Sequence, residues 1–429
     1  MSGSSRQFLR DLFDCAVAAA HPAGSLPTVL PPPPKGRLIV LAAGKGAGSM
    51  SEVAEQHYLG TLKFPTARLA GLAVARHGYG RPLKTIEMIE AGHPVPDEAG
   101  LKAASRALAI ADSAGADDLV LVLMSGGASA NWIAPADGLS FADKQAVTRA
   151  LLRSGANIGE INTVRKHLSR IKGGRLARHA APAKVVTLAI SDVPRDEPSA
   201  IGSGPTVPDP TTLADAREIV ARYRLDLPDA VMRALDDAKN ETPKPGDKIF
   251  DSTSFAIIAK PADALAAVQA KIEDAGYEFV PLGDRVEGEA RDVAAAHAKL
   301  ARDLKAQGRR AVIVSGGELT VTIRGKGKGG PNQEYALALA AALDGAAGIS
   351  AIAADTDGTD GGAGSADDPA GAYADSSSAA RARALGLDPA AYLADNNSTE
   401  FFTRLGDLVS TGPTFTNVND FRAIVVDKD

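Results

Sequence analysis

"RLIVLAAGKGAGSM", residues 37–50, decides the fold. An apolar run from Leu38 to Ala43 enters a turn built on Gly44, Gly46 and Gly48, and a helical pattern follows. A buried strand, a tight turn and a helix make half of a βα unit, the element from which parallel sheets covered on both faces are built. Glycine serves such a turn through positive φ and close backbone approach. Lys45 is not needed for it, and an ammonium at a helix N-terminus faces the unfavourable end of the dipole. Either Lys45 clamps a phosphate or carboxylate, or it is a solvated lysine in a glycine turn. Ser49 and Glu52 have the spacing of a capping box, which predicts a helix starting near Met50. No G-x-x-x-x-G-K-[ST] loop occurs anywhere in the chain.

The same unit recurs. "DLVLVLM" (118–124), "KVVTLAI" (184–190), "RAVIVS" (310–315) and "ISAIAA" (349–354) are buried-type strands, each followed by a turn and a helical pattern. "LTVTIRG" (319–325) alternates instead and predicts a half-exposed or antiparallel strand. "KNETPKPGDK" (239–248) reads as a linker, which divides the chain into domains 1–240 and 241–429. Phe8, Leu9, Leu12, Phe13 and Ala16 mark one face of an N-terminal docking helix, and the proline run 31–34 separates it from the first strand. "VLVLMSGGAS" (120–129) and "AVIVSGGELT" (311–320) echo one another across the halves.

Composition narrows the function classes. The 429 residues allow about two to three domains, and a net charge of −5 argues against a nucleic-acid surface. One cysteine excludes intrachain disulfides and cysteine zinc sites. Asp11 and Asp14 interrupt any signal-peptide core, and no apolar run reaches membrane-spanning length, so a cytoplasmic protein is expected. The histidines lack zinc spacing and no G-x-S-x-G elbow occurs. A homodimer is the default expectation.

In open α/β sheets ligands bind beyond the carboxyl ends of strands. Lys45, Ser125-Gly126-Gly127, Asp192, Ser315-Gly316-Gly317-Glu318 and the acidic run Asp355 to Gly361 all fall there, which predicts a cleft between two domains. The Ser-Gly-Gly turns admit a phosphate or a sugar, or are simply tight turns. "DTDGTDGG" holds three carboxylates and reads as a Mg²⁺ or hydroxyl site, or as an Asp/Gly turn; Asp360 and Ala366 break the EF-hand pattern. Asp192 is a candidate general base, whereas Asp209 before Pro210 reads as a helix N-cap. "NTVRKHLSRIKGGRLARH" (162–179) predicts a mostly solvated basic face, with one or two charges reaching an anionic substrate. "GKGKGG" (325–330) is a literal G-x-G-x-x-G with Asp355 downstream, which keeps a nicotinamide-dependent enzyme as the rival. A non-catalytic ligand-binding protein is a third class.

Taken in order, "GKGAGSM", "SGGASA", "NTVRKHLSRIKGGRLA", "SDVPRDEPSAIGSGPTVPD", "SGGELTVTIRGKGKGGPNQEYALA", "TDGTDG" and "STGPTFTNVND" closely resemble the glycerate 2-kinases that carry a MOFRL domain. Members from tartrate-utilisation pathways have often been labelled hydroxypyruvate reductases. The resemblance implies a two-domain α/β protein: a Rossmann-like N-terminal domain with a parallel sheet, and a smaller C-terminal MOFRL domain with a mixed sheet. It implies phosphoryl transfer from ATP, with Mg²⁺, to the 2-hydroxyl of D-glycerate; the alternative is NAD(P)H-dependent reduction of hydroxypyruvate. Under it Lys45 and Asp192 are catalytic, and Ser49, Arg165 and Lys172 bind substrate. Ser125, Gly126, Gly127, Ser129, Ser315, Gly316, Gly317, Glu318, Asn332, Asp357 and Asp360 contact the nucleotide. Many members have arginine where this chain has Pro331, and Lys326, Lys328 or Arg165 are the candidate substitutes.

Overall fold

The computed structural model describes residues 3–362 and 365–428. The chain forms two compact units, one of residues 25–258 and the other of residues 1–24 with 259–429. The helix Gly3–Ala20 opens the chain and belongs to the second unit. Its predicted docking face is real: Leu9, Leu12, Phe13, Ala16 and Ala20 are buried. Phe8 stacks on Tyr277 at 5.4 Å, and Phe13 meets Phe421 edge-on at 6.2 Å.

In the larger unit β1 (Leu38–Ala43), β2 (Leu69–Arg76), β3 (Ile86–Ala91), β4 (Leu119–Met124), β5 (Lys184–Ile190) and β6 (Thr253–Ala259) form one parallel sheet in the order β3-β2-β1-β4-β5-β6. β1 and β4 are buried along their whole length, as strands covered on both faces must be. The strand order reverses direction between β1 and β4, so this fold places its ligand crevice there. The expected linker lies inside this unit, because β6 follows it. Asn240 and Thr242 within it are buried, and the division falls at 258/259, not 240/241. Prolines and polar residues marked a loop correctly, but not a boundary.

The second unit contains β7 (Glu278–Pro281), β8 (Gly288–Glu289), β9 (Ala311–Ser315), β10 (Leu319–Thr320), β11 (Ile349–Asp355), β12 (Gly371–Asp375), β13 (Leu408–Val409) and β14 (Asp420–Val426). Six of these make a mixed sheet in the order β13-β12-β11-β14-β9-β7, and β8 pairs with β10. β9 runs parallel to β7 but antiparallel to β14. The alternating stretch 319–325 keeps only two strand residues, paired in parallel, and then leaves the ladder. The two Ser-Gly-Gly turns therefore follow strands of different sheet types, and their echo is local.

Candidate active site

The turns after β1 and β4 grip one another at the switch point. Lys45 N–H donates to the Gly126 carbonyl at 2.8 Å, and Gly46 N–H donates to Ser125 Oγ at 2.8 Å. Gly44 has φ +114°, and a Cβ there would lie 2.4 Å from the Ser125 carbonyl oxygen, so only glycine fits. The Lys45 backbone is thus fixed, while its side chain is half-buried. Asp192 stands just past the end of β5, also half-buried.

The helix after Lys45 is Ala47–Glu55, starting three residues before the expected point, with Gly46 as its uncapped N-cap. Ser49 does not cap it. Its buried hydroxyl donates back to the Gly46 carbonyl at 3.0 Å, and Glu52 instead pairs with Arg81. The close contact between the two turns sets the helix start, which overrides the capping signal.

The basic stretch 162–179 departs most from expectation. Lys166, His167, Lys172 and Arg175 are buried and Arg165 is half-buried, so this is not a solvated face. Lys166 faces Asp209 at 3.4 Å. Asp209 caps no helix; it accepts from Thr211 and Thr242, and Thr212 caps the helix Leu213–Arg222 through a box with Asp215. Lys144 donates to the carbonyls of Arg165 and Leu168 at 2.9 and 3.1 Å. Lys172 Nζ bonds the carbonyl and the Oγ of Ser129, at 2.8 and 2.9 Å. Ser129 Oγ in turn lies 2.6 Å from Ser203 Oγ. Lys172 and Ser129 are thereby brought together at the strand ends. Ser203, inside the stretch "SDVPRDEPSAIGSGPTVPD", is a site residue that sequence reasoning missed.

The second unit gathers its predicted residues differently. Asp360 is buried, and its carboxylate accepts the N–H groups of Asn332 and Gln333 at 2.9 and 2.8 Å and both their side-chain amides. It acts as the cap of the helix Pro331–Ala342 from outside the helix. That helix terminus is therefore occupied by the protein's own carboxylate. Asn332 Nδ2 also donates to Asp420 at 2.6 Å, and Asp420 pairs with Arg422 at 2.7 Å. Arg422 fills the second Ser-Gly-Gly turn, donating to Ser315 Oγ at 3.2 Å and to the Gly316 carbonyl. Glu318 is exposed. Asp357 Oδ1 accepts Thr359 N–H at 2.7 Å, and Asp355 Oδ1 accepts Asp357 N–H at 2.9 Å, which is turn chemistry. Among the described residues no three metal-ligating side chains gather. Ser315, Gly316, Asn332 and Asp360 thus hold the fold of this unit together. Arg422 and Asp420, two apart on one face of a strand, were missed; a charged pair in a buried-type strand was the available signal.

Burial pushes the Asp360 carboxyl up to about 7, with Asp420 adding to the shift and the helix amides opposing it. The folded state then binds this proton more tightly than the unfolded chain, whose aspartate titrates near 3.8. Its contribution to stability is complete below about pH 4 and is lost as pH rises through about 7. Urea unfolding midpoints at about pH 5 and about pH 8 should fall with pH in the wild type and flatten in Asp360→Asn. Equal pH dependence in both proteins would remove Asp360 from this role.

The GKGKGG loop is explained without a dinucleotide. A Cβ on Gly325 or Gly327 would lie 2.2 or 2.3 Å from atoms of Asp395 or Asn397, and one on Gly330 would meet Asp360. The glycines let two stretches of backbone touch: Gly327 N–H donates to the Asp395 carbonyl, and Thr399 N–H to that of Lys328. The segment before them is not a strand, and Pro331 takes the first helical position. Lys326 and Lys328 are exposed on this loop.

This arrangement defines a two-unit α/β protein whose larger sheet has the dinucleotide-type strand order and carries charged residues at its switch point. Family models match as a domain of unknown function (DUF4147) over residues 8–236 and as the MOFRL family over residues 311–420. The D-glycerate 2-kinase of Thermotoga maritima is 37% identical, covering 94% of each chain. A crystal structure of glycerate kinase from the same organism superposes with a TM-score of 0.86 at 36% identity, covering 99% of both chains. A protein of Agrobacterium vitis provisionally named hydroxypyruvate reductase is 48% identical over 99% of this chain and 95% of its own. The chain belongs to the glycerate kinase family built from a DUF4147 domain and a MOFRL domain.

Proposed function

We propose that this protein is a glycerate 2-kinase, transferring the γ-phosphoryl group of magnesium-bound ATP to the 2-hydroxyl of D-glycerate. The observation that carries the reading is the switch point, where Lys45 is fixed between the glycines of β1 and the Ser125-Gly126-Gly127 turn. The Thermotoga maritima relative is named D-glycerate 2-kinase, and the superposed crystal structure is of a glycerate kinase. Phosphoryl transfer requires positioning and charge neutralisation more than covalent chemistry. The Lys45 ammonium neutralises the transferring group, and Asp192 orients the acceptor hydroxyl. Arg165 supplies positive charge toward the glycerate carboxylate. Magnesium enters with the nucleotide phosphates as part of the substrate, since Mg²⁺ usually keeps several waters and is bound through substrate phosphates with one or two carboxylates.

The reductase reading loses its main support once the loop glycines are seen to pack against the protein's own backbone. No helix among the described residues is long and apolar enough to cross a membrane; a cytoplasmic homodimer remains the setting we propose. One experiment decides the activity. ATP–Mg²⁺ with D-glycerate, and separately NAD(P)H with hydroxypyruvate, are supplied, and both products are followed. Coupling to enolase without a mutase detects the 2-phospho isomer alone. Hydroxypyruvate-dependent NADH oxidation without glycerate-dependent ADP release overturns the proposal.

A further inference from the structure

We propose that Lys172 and Ser129 form the proton-accepting chain of the transfer, with Ser129 meeting the acceptor hydroxyl, Lys172 holding the proton and Ser203 positioning Ser129. This rests on the glycerate kinase reading. It changes the role of Lys172 from substrate binding to base, and that of Ser129 from nucleotide contact to relay.

The hydrogen-bond roles follow from the partners. The Ser129 carbonyl can only accept, so Lys172 Nζ donates one N–H to it at 2.8 Å. The second bond, 2.9 Å to Ser129 Oγ, is donated by Nζ when the lysine is charged and can reverse only when it is not. An uncharged amine has a lone pair for the Ser129 proton. Ser203 then donates to Ser129 Oγ across 2.6 Å. With one proton given and one accepted, Ser129 Oγ keeps a single lone pair, which is the acceptor for a substrate O–H.

The setting favours the uncharged amine. Lys172 is buried and forms no ion pair among the described residues. The groups whose charge bears most on it are Arg165 on the helix Ile158–His167 and Lys144 on the helix Phe141–Arg153, both basic, and Lys144 is itself buried with its ammonium held below the usual range. Burial first, then these two charges, holds its ammonium well below the usual lysine range.

Ser203 is the second, independent observation. It has φ +66° between Gly202 at +56° and Gly204 at +60°. A Cβ at Gly202 would meet Met124, and one at Gly204 would lie 3.0 Å from the Ser199 backbone. The turn thus holds a residue with a Cβ in left-handed backbone, a strain typical of sites where one side chain must be placed. Here it places a hydroxyl against Ser129.

The step balances. The substrate 2-oxygen forms its bond to the γ-phosphorus as the bond to the ADP oxygen breaks. The 2-hydroxyl proton moves to Ser129 Oγ while the Ser129 proton moves to Lys172 Nζ. Lys172 returns the proton to water after product leaves.

The test is steady-state kinetics with ATP–Mg²⁺ and D-glycerate across pH. Lys172→Arg keeps N–H donors for the Ser129 carbonyl but is always protonated and cannot accept a proton. It should lower kcat by roughly a hundredfold to ten-thousandfold, the usual worth of a general base. KM for glycerate should stay within a few-fold, and the acidic limb of the kcat profile should disappear. Ser129→Ala removes the relay without changing a buried charge and should lose activity on the same scale. Asp192→Asn should keep the limb. Lys172→Ala should regain activity with added ethylamine, in proportion to its free-base concentration. Near-normal kcat in both Lys172→Arg and Ser129→Ala, or a limb that vanishes with Asp192→Asn and survives Lys172→Arg, overturns the proposal. A wild-type protein without glycerate-dependent turnover overturns the functional reading and this proposal together.

Discussion

Lys45→Ala is expected to lower kcat by about a hundredfold or more, the scale of losing one preorganised electrostatic group. The Lys45 N–H bond to Gly126 and the Gly46 bond to Ser125 do not involve the side chain, so the turn survives the substitution. What disappears is an ammonium set close to the N-terminus of the helix Ala47–Glu55. Without an anion that charge opposes the helix dipole, so its removal should leave thermal stability unchanged or slightly higher. With a γ-phosphoryl group in place, the ammonium and the dipole act on the same negative oxygens. Lys45→Arg should rescue poorly, because a planar fork does not replace a compact point charge. Kinetics and melting curves on both variants decide it. A folded Lys45→Ala with near-normal kcat would reduce Lys45 to a turn residue.

The largest expected stability loss is in the second unit. Arg422 is buried, pairs with Asp420, and donates to Ser315 and the Gly316 carbonyl. Arg422→Met leaves the buried Asp420 carboxylate without its cation, with Asn332 at 2.6 Å and the longer Leu319 N–H contact as its donors among the described residues. Breaking such a pair from one side costs about 3–5 kcal/mol. Removing both charges together, as Arg422→Met with Asp420→Leu, should cost less than the single change, since no unpaired ion remains. Urea unfolding of the wild type and both variants provides the comparison. A single variant within about 1 kcal/mol of wild type, the range of an exposed pair, would show that water reaches this network.

Strand-length apolar runs made most of the sheet architecture legible. Leu38–Ala43 and Leu119–Met124 are apolar throughout because both faces are covered. Strand direction in the second unit was not legible, since β9 and β11 are equally apolar whether their neighbours run parallel or antiparallel. Among site residues, Lys45 and the first Ser-Gly-Gly turn stood out because glycine and lysine are unusual company. The buried lysines did not, because the helix Ile158–His167 is flanked by charged residues in sequence whose partners come from elsewhere in the fold. Lys144 is satisfied by two backbone carbonyls, which no side-chain pattern records. Asp360 looked like a ligand-binding acid because its partners, Asn332 and Gln333, are nearly thirty positions upstream.

The opening helix has a consequence for biosynthesis. Gly3–Ala20 leaves the ribosome before residues 25–258, yet its docking partners, among them the helix Pro261–Asp274 and Phe421, are made after them. At about 5–20 residues per second, translation takes roughly ten seconds to most of a minute to reach residue 261. For that time Leu9, Leu12 and Phe13 have no surface of their own unit to cover them, while residues 25–258 can already assemble. The nascent chain therefore carries an exposed apolar helix ahead of a folded body, as a natural target for a chaperone. Stalled chains ending before residue 259 should be cut by protease within this helix, and released full-length chains should resist; equal protection in both would mean that the helix finds another shelter first.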